Sequence, residues 1–172
     1  VDMAGEGLDY AIRFGDGAWH GTQADRIMDA PMSVMCSPAL AHGLRTAADQ
    51  TRQPLLRSYR TDEWTAWFEA AGAPCPVVRG AVFDSSLTLA EAAAQGAGMA
   101  LLPVKMFARE LQQGRLAQPF AQELHRGAYW LTRLHSRPAT GAMTAFRDWL
   151  LAQASAGAGG SSGTSASAEK LE

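Results

Sequence analysis

One stretch, residues 56–68, constrains the fold of this 172-residue chain more than any other. It leaves an apolar strand at Leu56, passes through arginines and hydroxyl side chains, and enters an amphipathic helix over Asp62–Ala71. The apolar residues of that helix recur at the spacing that places them on one face, and they are Trp64, Trp67, Phe68 and Ala71. A polar loop between a strand and a helix is where α/β proteins usually bind small molecules. The stretch therefore predicts both a fold class and a site.

Strand and helix patterns alternate along the rest of the chain. Strands are predicted at Leu8–Phe14, at Ile27–Cys36 with a break at Pro31, and at Val77–Phe83, Met99–Leu102 and Ala128–His135. Helices are predicted to start at Ser37 and Thr140 and to cover Ala47–Gln50, Leu87–Gln95 and Pro103–Leu111. This order predicts an α/β fold with a mainly parallel sheet. We expect residues 1–153 to fold and the Gly-, Ser- and Ala-rich tail, residues 154–172, to be disordered because it has little to bury.

Charge and hydropathy exclude several classes of partner. The formal net charge is -2, and the basic residues form no run or stripe that would neutralise phosphates. DNA contact is therefore expected only from a segment outside these residues. No apolar run approaches the roughly 20 residues that cross a bilayer, and the first residues lack a cleavable leader pattern. We expect a cytoplasmic protein with no membrane partner.

The residues that usually hold metals or cofactors are scattered. Cys36 and Cys75 follow no metal-type spacing and are expected to be structural thiols. The four histidines include no pair at helical spacing, so no metal site is predicted. Residues 15–17 lack the remaining features of a dinucleotide-binding loop, and no Walker-type loop occurs. We expect no cofactor.

Two hydroxyls follow a predicted strand, at Ser85 and Ser86, just before an alanine-rich helix. Free backbone N–H groups and the helix dipole favour an anionic ligand group at such a position. The alternative is that one serine simply caps the helix, or that Thr88 and Glu91 form a capping box. Composition alone favours capping, since serine is a common cap.

Three further side chains are candidates for ligand contact. Arg57 and Arg60 have the geometry to bind a ligand carboxylate, although arginines in such loops pair as often with a carboxylate of their own protein. Tyr129 offers a phenolic hydroxyl on a predicted strand, or it covers the core beside Trp130. A hydrolase that uses Ser86 or Cys36 as its nucleophile is a weaker hypothesis, because neither has a nucleophile elbow or an adjacent base.

Several segments together resemble the effector-binding domain of the LysR-type transcriptional regulators. They are Asp2, residues 6–15, 57–64, 83–86, 98–103, 129–132 and 146–150. Within that family, the segments Arg57–Trp64 and Tyr129–Thr132 most resemble the regulators of chromosomal β-lactamase genes. The resemblance covers residues 1 to about 151, and it implies a sensor and not an enzyme.

The resemblance also implies a fold and a set of site residues. The fold is type 2 periplasmic-binding-protein-like, with two α/β lobes and a ligand cleft. One lobe would contain Leu8–Phe14 and the part from Tyr129, and the other would contain roughly Ala30–Pro119. Ser86 and Tyr129 match pocket residues of the family, with Ser85, Arg57 and Arg60 as supporting effector contacts. Asp2 matches a residue that holds the inactive state.

The family further implies effectors and partners. The effectors would be peptidoglycan fragments, namely a UDP-linked muramyl pentapeptide as corepressor and anhydro-muramyl peptides as inducers. A LysR-type regulator that senses an amino acid or another small organic acid is the alternative. Relative to the family, the helix-turn-helix domain and the first β-α-β of the effector domain are expected to be missing from this chain. DNA would then be bound only through that missing domain, in a homo-oligomer.

Overall fold

Strands and helices alternate along the chain, and most lie where the sequence predicted them. The computed structural model describes residues 2–60 and 62–159. The strands are β1 Ala11–Gly15, β2 Thr22–Asp29, β3 Met32–Met35, β4 Arg57–Ser58, β5 Val82–Phe83, β6 Ala100–Pro103 and β7 Ala128–Leu134. The helices are α1 Pro38–Ala41, α2 Glu63–Ala70, α3 Ser86–Ala94, α4 Ala108–Gln112 and α5 Gly141–Gly159, with a 3-10 helix at Ala47–Arg52.

The chain divides into two units. Unit 1 combines the residues before Ala30 with those from Gly127 onward, and unit 2 comprises Ala30–Arg126. This division agrees with the two lobes that the family resemblance implied, although the second extends a few residues beyond Pro119.

Unit 1 contains a three-stranded sheet in the order β1-β7-β2. Both outer strands run antiparallel to β7, with Ala11 opposite Thr132 and Asp29 opposite Ala128. The Thr132 side chain is buried, and its hydroxyl donates to the Ala11 carbonyl at 2.9 Å. Helix α5 lies against β2. The central strand of unit 1 is therefore held on both edges.

Unit 2 builds its core between strands and helices. β3 and β6 pair antiparallel, β4 and β5 pair parallel, and a bridge between Leu55 and Met99 joins the two pairs. Helix α3 lies on β6. One apolar cluster includes Met35, Leu89, Ala93, Leu102, Phe107 and Leu116, all of them buried. The arrangement places the ends of β4 and β5, and the loops that follow them, side by side.

The prediction of a mainly parallel sheet is wrong. Among the strands named above, only β4 and β5 pair in parallel, whereas β7 and β3 make antiparallel pairs. The order of elements does not determine which strands pair. In the chain, β7 comes after the whole of unit 2, but in the sheet it lies between β1 and β2. No local sequence pattern predicts this position.

Several element boundaries also differ from the sequence prediction. The strand predicted at Val77–Phe83 is shorter in the structure and contains only Val82–Phe83, which form β5. Its predicted start is not buried, since Val77 is 78% exposed, and the preceding Pro76 has no amide N–H to donate to a neighbouring strand. Pro103 ends β6 opposite Met32, so helix α4 starts only at Ala108.

Helix α5 begins at the predicted cap but ends later than predicted. Its cap is Thr140, as predicted, whose hydroxyl accepts from the Met143 amide at 3.2 Å. The helix continues to Gly159, beyond the end that we expected near Gln153, because alanines recur through this segment and favour helix. The rest of the tail predicted to be disordered, residues 160–172, lies outside the described residues.

Helix α2 has the amphipathic face that its sequence predicted. Trp64, Trp67 and Phe68 are all buried. The Trp64 indole N–H donates to the Leu56 carbonyl at 2.8 Å, which fixes the helix against the strand that leads into the polar loop. The two tryptophans are thus packing residues, as the sequence favoured.

Gln50 is an unusual side chain in the interior of unit 2. It is 0% exposed, and neither atom of its amide group has a hydrogen-bond partner within the described part of the chain. A buried amide without a partner costs about 1–3 kcal/mol. We therefore expect Gln50→Met, which keeps the length and removes the polar atoms, to raise the free energy of unfolding by about 1 kcal/mol.

Urea denaturation of wild type and variant measures this change. The matched control is Gln112→Met on the exposed side of α4, which should leave the midpoint unchanged. A fall in stability for Gln50→Met would contradict the expectation and mean that the amide has a partner in solution.

Candidate functional site

The two serines lie at the start of helix α3. Ser85 is the cap, and its hydroxyl accepts from the Leu87 amide at 3.2 Å. This confirms the capping interpretation for Ser85. Ser86 is the first helical residue and half-buried, and its hydroxyl makes no hydrogen bond with any described residue. Ser86 is therefore the hydroxyl that remains available to a ligand at this helix end.

Arg57 lies on β4, beside the strand that leads to these serines. Its guanidinium donates to the Gly80 carbonyl at 3.0 Å. No carboxylate pairs with Arg57 among the residues that the structure describes. Because β4 and β5 run parallel, the loops after Ser58 and Phe83 leave the same edge. The positive charge of Arg57 is therefore not neutralised by any carboxylate of the described residues.

Arg60 pairs with a carboxylate of its own protein. Its Nε donates to Glu63, the side chains are only 18% and 10% exposed, and the guanidinium also lies over the Tyr59 ring at 4.8 Å. The Ser58 hydroxyl donates to the other Glu63 oxygen at 2.7 Å. Burial raises the pKa of the Glu63 carboxyl, and Arg60 and Ser58 oppose that shift. These contacts fix the Arg60 side chain against the start of helix α2. Thr61 lies outside the described residues.

Tyr129 and Asp2 both belong to unit 1. Tyr129 lies on β7 opposite Phe14, and the two rings meet edge-on with centroids 5.8 Å apart. Asp2 lies in an exposed turn, where its carboxylate accepts from the Gly5 amide at 3.0 Å. A Cβ at Gly5 would lie 2.4 Å from that carboxylate, so a larger residue there would displace the Asp2 side chain. The predicted residues are therefore divided between the units, with Ser85, Ser86, Arg57 and Arg60 together in unit 2.

A cavity of about 180 Å³ opens in unit 2 between β4, helix α2 and the segment after it. Its lining includes Arg57, Ser58, Trp64, Thr65, Cys75 and Pro76. The sequence analysis identified the arginine but not Thr65 or Cys75. No pattern marks these two residues, since they reach the cavity only through the turn after α2.

The two cysteines differ in environment. Cys36 is fully buried, and burial raises its pKa to about 11. A nucleophilic cysteine has a lowered pKa, so this finding overturns Cys36 as a catalytic candidate. Both cysteines are free thiols, as expected, but Cys75 is only half-buried.

The described residues contain neither a metal-binding cluster nor a membrane-spanning helix. Among residues 2–60 and 62–159, no group of three His, Cys, Asp or Glu side chains is placed to hold a metal ion. Over the same residues, no helix has both the length and the apolar character needed to span a membrane.

Comparison with known proteins gives one consistent result. Residues 1–155 match the LysR substrate binding domain. The chain belongs to the LysR family. It is 56% identical over 162 residues to the HTH-type transcriptional activator AmpR of Pseudomonas aeruginosa, an alignment that covers 93% of this chain and 55% of that protein. It is 54% identical over 153 residues to AmpR of Enterobacter cloacae, covering 88% and 53%. The chain thus spans about half the length of these LysR-family relatives.

Solved structures show the same relationship. The effector domain of AmpR from Pseudomonas aeruginosa matches with a TM-score of 0.89 at 56% identity, over 93% of this chain and 78% of that chain. The effector binding domain of AmpR from Citrobacter freundii matches with a TM-score of 0.87 at 49% identity, over 91% and 79%. The predicted type 2 periplasmic-binding-protein-like fold is confirmed. These relatives are named transcriptional regulators, so the hydrolase hypothesis receives no support from them.

Proposed function

We propose that this chain is the effector-sensing domain of a transcriptional regulator that controls β-lactamase expression in the cytoplasm. The observation that carries the proposal is the 56% identity and the TM-score of 0.89 to the AmpR effector domain. Effector binding would shift the balance between two states of a homo-oligomeric regulator. DNA would be bound by a helix-turn-helix domain outside these residues.

The proposed effectors are muramyl peptides, with the UDP-linked muramyl pentapeptide as the molecule to test. Their carboxylates suit the helix end at Ser86, where the half-buried hydroxyl and the backbone N–H groups favour an anion. Tyr129 is proposed as a further effector contact through its hydroxyl. Ser85 and the nearby cations Arg57 and Arg60 are proposed as supporting contacts, with Arg60 held in place by Glu63. Asp2 is proposed to hold the inactive state through its turn.

Calorimetric titration of the chain with the UDP-linked muramyl pentapeptide tests this proposal. We expect binding to weaken roughly tenfold in Ser86→Ala and in Tyr129→Phe, because each removes one hydrogen bond to a charged or polar group. Ser136→Ala is an exposed matched control, and Tyr10→Phe removes a tyrosine hydroxyl that donates to the Met143 carbonyl at 3.2 Å. Both controls should bind as the wild type does.

Two binding results would contradict the proposal. Binding that is unchanged in Ser86→Ala and Tyr129→Phe would reject these residues as the effector contacts. If the folded chain binds a free amino acid or another small organic acid and not the muramyl peptide, the alternative effector class is correct.

A further inference from the structure

The cavity of unit 2 has an uncompensated positive charge. Arg57 and Arg60 both line it. Arg60 is paired with Glu63, whereas Arg57 donates a hydrogen bond to the Gly80 carbonyl and has no carboxylate partner among the described residues. The cavity therefore carries the charge of one guanidinium that no acidic group of the described chain neutralises.

The remaining lining suits a small acid. Thr65 presents an exposed hydroxyl whose hydrogen-bonding capacity is not used by any described residue. The Trp64 indole N–H is already satisfied by Leu56, so Trp64 contributes apolar surface, as does Pro76. The volume of about 180 Å³ equals that of roughly six water molecules, far less than a muramyl peptide needs.

We propose that this cavity is a binding site for a small monocarboxylate, held by the guanidinium of Arg57 with Thr65 as a second donor. The planar guanidinium of an arginine donates two parallel hydrogen bonds, one to each oxygen of a carboxylate, a geometry that lysine cannot reproduce. The site shares Arg57 with the supporting contacts proposed above but uses neither Ser86 nor Tyr129, so protection of Cys75 by a small acid tests it separately from muramyl peptide binding. The ligand class is an acid of the size of an N-acylated amino acid.

Cys75 provides a reporter inside the same cavity. Its thiol is half-buried and lines the cavity, and the only other cysteine of the sequence, Cys36, is fully buried. Alkylation by iodoacetamide therefore measures access to Cys75, and peptide mass analysis confirms which thiol has reacted. A ligand bound at Arg57 must block that access.

The experiment measures the rate of Cys75 alkylation with and without N-acetylglycine. At about ten times its dissociation constant the acid should slow the reaction roughly tenfold, because only the empty site exposes the thiol. The neutral analogue N-acetylglycinamide should give no protection. Arg57→Gln should abolish protection, and the control Arg109→Gln, an exposed arginine on α4, should retain it.

A second variant keeps the test decisive if Arg57→Gln does not fold. Arg57→Lys retains the charge without the fork, and its protection must be weaker than that of the wild type. The proposal is overturned if N-acetylglycine does not protect Cys75, if the amide protects it equally, or if the folded Arg57 variants are protected like the wild type.

Discussion

Replacement of Phe68 by alanine should destabilise unit 2 by about 3–5 kcal/mol, the usual loss for a buried aromatic residue. Phe68 is 0% exposed, and its ring centroid lies 5.3 Å from that of Trp67 and 6.0 Å from that of Trp64. Removal of the ring leaves a cavity among rigid aromatic groups that cannot collapse to fill it. Tryptophan fluorescence during guanidinium denaturation follows the change directly, because both tryptophans border the site.

Two further variants separate a cavity effect from a helix effect. Glu69→Ala changes the exposed neighbouring residue on α2 and should leave the stability nearly unchanged. Phe68→Leu fills most of the space and should lose less stability than the alanine variant. A loss below about 1 kcal/mol for Phe68→Ala would show that the aromatic group is not the core that its burial indicates.

Asp25→Asn should destabilise unit 1 by about 1.5–3 kcal/mol, the range for hydrogen bonds between charged groups. The Arg147 guanidinium donates through Nε to one Asp25 oxygen at 2.8 Å and through Nη2 to the other at 2.6 Å. The Asp25 side chain is 17% exposed. This two-point contact ties helix α5 to strand β2, so its loss loosens the only helix that lies against that strand in the described part of unit 1.

The effect of Asp25 should depend on pH in a defined direction. The hydrogen bond from Arg147 holds the pKa of Asp25 below its ordinary value of 3.8, against an opposing effect of burial. A group with a lowered pKa contributes stability that is complete above its unfolded pKa and is lost as the pH falls through its folded pKa. The difference between wild type and Asp25→Asn should therefore be constant near neutral pH and shrink below pH 3.8.

Thermal unfolding over a series of pH values measures this difference. Asp148→Asn removes the other carboxylate that pairs with Arg147, but Asp148 is 61% exposed, so this control should have little effect. A difference that persists undiminished at the lowest pH would show that Asp25 acts through packing and not through its charge.

The sequence predicted those parts of the fold that depend on local chemistry. Helix α2 follows from the spacing of Trp64, Trp67 and Phe68, and the start of α3 follows from a serine cap. The pairing of strands was not predictable, because β7 joins β1 and β2 across the whole of unit 2. The buried amide of Gln50 was equally unforeseen, since its neighbours in the chain are polar and give no sign of burial.

For the candidate site, the sequence indicated residues to consider but not the surroundings of each one. The residue types near Ser86 indicated an anion, and the family resemblance selected Tyr129. The sequence could not decide which arginine was free for a ligand. That distinction depends on Glu63, whose carboxylate pairs with Arg60. The Arg57 guanidinium instead donates to the Gly80 carbonyl. Cys75 lines the cavity only because of the turn after helix α2, and no sequence motif marks that position.

The position of Tyr129 on β7 has a mechanical consequence. The backbone of β7 is hydrogen-bonded to β1 on one side and to β2 on the other, so the Cα of Tyr129 moves only if three strands move. Ser86 lies in the first turn of a helix, where backbone groups are free of such restraint. The effector contact proposed at Tyr129 would therefore come from a strand that is restrained at both edges, whereas the one proposed at Ser86 would come from a helix end.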